Sequence, residues 1–169
     1  MKETPFLDDQ SAVLDTLRRV SFFSNLEDRH LRQVFRASKM RQYDADEMII
    51  PEGVYDSMIY VLLSGEVSIV KGGDVIARLH KTGDIFGELA IISCEPRSAS
   101  VFAVGRATCL AVDAAFLDNL LPMDRDPVYA VIYKLFAEVV AQRLRVTSEE
   151  LASVREELGK LKAERSLQR

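Results

Sequence analysis

Three residues of this chain have the types and spacing to hold a small anion beside a hydroxyl: Gly87, Glu88 and Arg97. They lie in Gly83-Asp-Ile-Phe-Gly-Glu-Leu-Ala-Ile-Ile-Ser-Cys-Glu-Pro-Arg-Ser-Ala-Ser-Val101. A glycine and an acid open a short helical run, Gly87 to Ile92; a polar turn, Ser93 to Pro96, follows, and Arg97 leads back into a strand. A helix start offers unpaired backbone N–H groups and the positive end of a dipole, which suits a phosphate. Gly87, having no Cβ, lets a ligand approach the backbone closely. Arg97 adds a planar fork of donors for the same anion. Glu88 only accepts hydrogen bonds when ionised, so its natural partner is a hydroxyl such as a ribose 2′-OH. An anion site next to a hydroxyl site describes a nucleotide whose phosphate sits close to its sugar.

Such a turn needs a rigid frame, and the sequence around it is β-rich. Apolar, β-prone runs appear at Met48–Ile50, Met58–Leu63, Val67–Val70, Val75–Leu79, Ala99–Val104 and Thr108–Val112. Pro51-Glu-Gly53, Ser64-Gly65, Gly72-Gly73, Gly83-Asp84 and Gly105 punctuate them as turns. Many short, evenly punctuated strands imply an antiparallel sandwich or barrel. Helical periodicity precedes this region, over residues 9–20 and from Leu26 to Arg36, and follows it near Ala114–Leu121. After a break at Pro122–Pro127, a long helix is predicted from Asp126 to about Arg165, with Pro127 at its first position.

The long helix carries a heptad. Ala137, Leu144, Leu151 and Leu158 occupy the a positions; Tyr133, Val140, Thr147, Val154 and Leu161 occupy d. Glu150 at g faces Arg155 at the following e, and Glu157 faces Lys162, the sign pattern of a parallel, in-register dimer. Thr147 places a hydroxyl on this seam and Ser148 adds another beside it. They either fix the register or reach a ligand's base.

The stretch from Phe86 to Ser100 resembles the phosphate-binding cassette of the cyclic-nucleotide-binding domain family, matching at Phe86, Gly87, Glu88, Leu89, Ala90, Ile91, Ile92, Pro96, Arg97, Ala99 and Ser100. Residues 59–69 resemble a second stretch of that family, and the likeness covers roughly residues 21–121. The resemblance implies an eight-stranded antiparallel β-roll, jelly-roll-like, flanked by helices. It implies that Glu88 holds the ribose 2′-OH and Arg97 the cyclic phosphate, with Phe86, Gly87, Leu89, Ala90, Ser98 and Ala99 completing the site. Serine rather than threonine at position 98 implies cAMP in preference to cGMP. Arg143-Leu-Arg-Val-Thr-Ser-Glu149 resembles the C-helix of the catabolite-activator family. That likeness implies that Thr147 and Ser148, from opposite subunits, read the adenine, with Arg143 a candidate partner for Glu88. The activator family continues into a helix-turn-helix; this chain ends at Arg169, so no direct DNA binding is expected.

Composition bounds the remaining choices. A net charge of −4 argues against a general nucleic-acid binder. The acidic start lacks a signal-peptide apolar run, and Met58–Leu63 is far too short for a membrane span. Cys94 and Cys109 form neither a disulfide framework nor a metal spacing, which fits a cytoplasmic setting. His30 and His80 make no metal-enzyme motif, and no phosphate-loop lysine or nucleophile elbow occurs; no enzyme activity, cofactor or metal is expected. The expected organisation is an N-terminal helix over 1–20, a β-roll over 21–121, a dimerising C-helix over 127–165 and a tail over 166–169. The expected function is a homodimeric sensor of a cyclic purine nucleotide acting on a downstream protein. A structural or oligomerisation module with an unoccupied pocket is the alternative.

Overall fold

The computed structural model describes residues 1–5, 28–36, 38–115 and 122–167. The helix expected over residues 9–20, and all but the first two residues of the one expected near Ala114–Leu121, lie outside the described residues. In chain order the elements are β1 (Lys2–Pro5), α1 (Asp28–Arg36), β2 (Ser38–Tyr43), β3 (Met48–Ile50), β4 (Met58–Ser64), β5 (Val67–Lys71), β6 (Asp74–Leu79), β7 (Ile85–Phe86), α2 (Glu88–Ser93), β8 (Ser100–Ala103), β9 (Ala107–Asp113) and α3 (Pro122–Leu167).

The strands form two antiparallel sheets, ordered β1-β2-β9-β4-β7 and β3-β8-β5-β6. The two-residue period of a strand sorts the side chains. Tyr60 and Leu62 of β4, with Ala107, Cys109 and Ala111 of β9, share one core with Ile49, Ile50, Val67, Phe86, Val101 and Ala103. The intervening residues Ile59, Val61, Leu110 and Val112 are buried as well. The first sheet is therefore apolar on both faces. Leu31, Val34 and Phe35 of α1 are also buried, and Ser38 Oγ donates to Phe35 O at 2.9 Å where that helix turns into β2. Between β5 and β6 the paired Gly72 and Gly73 both take positive φ, as a two-residue hairpin joining right-twisted strands requires.

Three strands depart from the sequence reading. Residues 2–5 form strand β1, not part of an N-terminal helical segment. It pairs along β2, with Glu3 bridging Lys39 at 2.7 Å and Arg41 at 2.9 Å. β2 itself, Ser-Lys-Met-Arg-Gln-Tyr, is too polar to show alternation, and β7 is only two residues long. The described residues thus hold nine strands where the resemblance implies eight.

Helix α3 corrects a boundary. It begins at Pro122 and runs through the supposed break, so the proline at its first position is Pro122 and not Pro127. Proline at that position loses nothing because its N–H would be unpaired anyway. The chain divides into two compact units, residues 1–132 and 133–169. In the second, helical unit the heptad positions Leu144, Leu151, Val154, Leu158 and Leu161 are all exposed, Leu144 at 66%. Glu156 and Lys160 pair one turn apart at 2.7 Å on its surface. No described helix is long and apolar enough to cross a membrane.

Candidate functional site

Strand β7 delivers the chain to the site. Phe86 is fully buried and stacks on Tyr60 of β4, ring centroids 5.2 Å apart and planes 7° from parallel. The next residue, Gly87, takes φ 85° and caps α2 without a side chain. That left-handed turn swings the backbone off the sheet and sends the following carboxyl, Glu88, inward, where it is completely buried. Helix α2 closes on Cys94, also left-handed at φ 54°, and Ser93 Oγ donates to Leu89 O at 2.9 Å.

Gly87 is required twice over, by its positive φ and by its neighbours. A Cβ there would lie 2.7 Å from Nη1 of Arg97, 3.1 Å from Met58 O and 3.3 Å from Ile50 Cδ1. The group that uses the space in this structure is the guanidinium.

Arg97 is 3% exposed and is the hub of the site. Its backbone is clamped by the loop ahead of β4: Gly53 N donates to Arg97 O at 2.8 Å, and Arg97 N donates to Val54 O at 2.9 Å. Its side chain is held by the same loop and by the cassette turn. Nε donates to Asp56 Oδ2 at 3.1 Å, Nη2 to Asp56 Oδ1 and Met58 O, and Nη1 to Gly87 O. Burying a guanidinium without such partners would be strongly unfavourable, and the Asp56 carboxylate supplies the opposite charge. Asp56 is itself fixed, because its Oδ1 accepts the Met58 N–H at 2.7 Å. Ser57 ties the loop to β9: its Oγ donates to Asp113 Oδ1 at 2.5 Å, and its carbonyl accepts from Ala114 N at 2.8 Å.

The structure therefore brings together Phe86, Gly87, Glu88 and Arg97. Leu89 is 43% exposed, Ser98 is exposed, and Ala90 and Ala99 are half-buried beside them. Arg143, Thr147 and Ser148 lie on α3 in the second unit, the two hydroxyl residues exposed. Sequence reasoning missed Asp56 and the carbonyls of Met58 and Gly87. The one available signal was an acid two residues before a strand, the usual setting for a side chain that accepts from its own turn. Under the site, burial raises the Tyr60 phenol above its ordinary value, although Arg41 donates to its oxygen at 3.1 Å. No group of three or more metal-ligating side chains occurs among the described residues.

A two-sheet β-roll interrupted by a glycine–glutamate turn and closed by one buried arginine is the architecture of a small-ligand-binding domain. The chain belongs to the cyclic nucleotide-binding domain family, whose model matches residues 40–124. It is 32% identical over 105 residues to the cGMP-dependent protein kinase of Toxoplasma gondii, covering 62% of this chain and 10% of that one. It thus spans about a tenth of the length of that kinase. Among solved structures, a cyclic nucleotide-binding domain from Methylobacillus flagellatus KT superposes with a TM-score of 0.66 at 22% identity, covering 79% of this chain and 76% of that one. A cAMP-bound PfPKA-R superposes with a TM-score of 0.59 at 26% identity, covering 75% of this chain and 47% of that one.

Proposed function

We propose that this chain is a regulatory sensor that binds a cyclic purine nucleotide, cAMP in preference to cGMP, and dimerises through α3. The observation that carries the reading is the buried Arg97 guanidinium. It is pinned to the carbonyl of Gly87, one residue from the buried Glu88. Its described bonds use Nε once, Nη2 twice and Nη1 once, leaving one Nη1 N–H for an incoming phosphate oxygen. Glu88 is the acceptor for the ribose 2′-OH. Ser98 favours adenine, and the cAMP-bound relative supports the same ligand.

Thr147 and Ser148 of α3 supply contacts to the base, with Arg143 as a second partner for Glu88. Ligand binding then favours whichever helix arrangement brings those residues to it, a shift of population that a downstream protein reads. The exposed seam of Leu144, Leu151, Val154, Leu158 and Leu161, flanked by the Glu150–Arg155 and Glu157–Lys162 sign pattern, supports a parallel dimer. The protein works in the cytoplasm.

Calorimetric titration with cAMP and separately with cGMP tests this, after unfolding and refolding to strip any copurified nucleotide. Micromolar or tighter binding with cAMP preferred supports the sensor. One observation favours a second reading: Arg97 has a protein counter-charge of its own in Asp56. An oligomerisation module with an unoccupied pocket would bind neither nucleotide in that experiment.

A further inference from the structure

The arginine at the site carries a resident counter-ion. Asp56 grips Nε and Nη2 of Arg97 through both carboxylate oxygens, and Met58 N–H holds that carboxylate in place. The pair is neutral, and the segments that build the site hold no surplus cation. Arg97 is the only Lys or Arg in residues 51–57 and 83–101, which together carry the carboxyl groups of Glu52, Asp56, Asp84, Glu88 and Glu95. On the sheet below, Arg41 is engaged by Glu3 and by Tyr60. An anion entering the cassette meets a guanidinium whose charge Asp56 already shares.

We propose that Asp56 is a charge filter: by pairing with Arg97 it tunes the site to a singly charged phosphodiester and against the doubly charged phosphomonoester of the ring-opened nucleotide. The inference rests on the cyclic-nucleotide reading above. A cyclic phosphodiester carries one negative charge throughout the neutral range. A phosphomonoester carries between one and a half and two, with its second ionisation at about pH 6. Every carboxylate near the guanidinium therefore repels the monoester about twice as strongly, and in a partly buried site that difference is weakly screened. Hydrolysis of the ring would thus convert a ligand into a poor competitor by adding charge, in addition to changing its shape.

The test compares the affinity ratio of cAMP to 5′-AMP in the parent and in Asp56→Asn, by calorimetry at pH 7.5 and pH 5.5. A residue that only positions Arg97 alters both affinities alike and leaves the ratio unchanged; a charge filter alters the ratio. The preference for cAMP should shrink by about tenfold in Asp56→Asn at pH 7.5. In the parent it should shrink on the order of tenfold between pH 7.5 and 5.5, as the monoester gains its proton. Because any carboxylate of the site acts more strongly on the monoester than on the diester, the pH series reads the charge of the ligand, and the assignment to Asp56 is read from Asp56→Asn at pH 7.5. A parent that binds cAMP with a ratio independent of pH, or a folded Asp56→Asn with the parental ratio, overturns the filter while leaving the sensor intact. Absence of cAMP binding by the refolded parent removes the sensor reading and the filter together. If Asp56→Asn does not fold, the same ratio is measured in Asp56→Ser, and a ratio independent of pH in the parent overturns the filter by itself.

Discussion

Gly87 and Arg97 are built to fit one another. The bare Cα of the glycine leaves the space in which Nη1 of the arginine sits, and the glycine's own carbonyl accepts from that nitrogen. Gly87→Ala would place a methyl 2.7 Å from Nη1 at a φ of 85°. The expected outcome is a loss of about 1–3 kcal/mol of stability in denaturant unfolding, from backbone strain and from displacement of the guanidinium. Nucleotide affinity should fall with it.

Arg97→Ala should abolish detectable nucleotide binding, because about 2–5 kcal/mol of a roughly −8 kcal/mol micromolar interaction depends on a charge partner of this kind. It should also destabilise the free protein, since Asp56 and the carbonyls of Met58 and Gly87 lose their donor. Arg97→Lys should recover part of the stability but little of the binding, for a lysine cannot reproduce the fork. A variant that binds like the parent would show that Arg97 does not meet the phosphate.

Glu88→Gln should blunt discrimination against 2′-deoxy-cAMP. A buried carboxylate accepting from a hydroxyl contributes enough that the deoxy ligand should bind the parent roughly tenfold or more weakly. In the variant the two ligands should converge in a competition assay. Unchanged discrimination would place the ribose away from Glu88.

Leu151→Glu should make the protein monomeric in sedimentation equilibrium. Leu151 is 48% exposed on α3, and a charge there would break an a-position contact. Thr147→Val should keep or strengthen the dimer. A monomeric parent would show that the seam does not pair with a second copy.

Alkaline pH should unfold the protein earlier than its carboxylates and amines would suggest. Burial raises the Cys109 thiol from an ordinary 9.0 to about 12, and raises the phenols of Tyr43 and Tyr60 in the same way. For such groups the folded state holds its proton where the unfolded state has lost it. Stability from Cys109 is therefore complete below pH 9 and declines as pH rises toward about 12. Cys109→Ala should flatten that decline in pH-dependent unfolding. By the same burial, iodoacetamide should label the exposed Cys94 and spare Cys109, as mass spectrometry would read.

The cassette was legible in the chain because its chemistry is local. Phe86, Gly87, Glu88 and Arg97 lie within a dozen residues, so the turn glycine, the acid and the arginine can be read together. The central strands were legible for a related reason, since β4, β5 and β9 are apolar runs bounded by turn residues. The edges were not. β1 and β2 are polar, and their backbone ladder, with Glu3 beside Lys39 and Arg41, joins residues thirty-odd positions apart in the sequence.

By itself, then, the sequence determined the β-roll and the turn from Phe86 to Arg97 that forms the candidate site. Tertiary structure alone decided what holds that arginine. Its partners are a carboxylate 41 residues earlier and two main-chain carbonyls, one of them 39 residues away. A carbonyl leaves no trace in residue identity, and an aspartate in a loop reads as solvent-facing until the fold brings a buried cation to it. A guanidinium taken out of water requires an opposing charge, and the fold supplies it from Asp56.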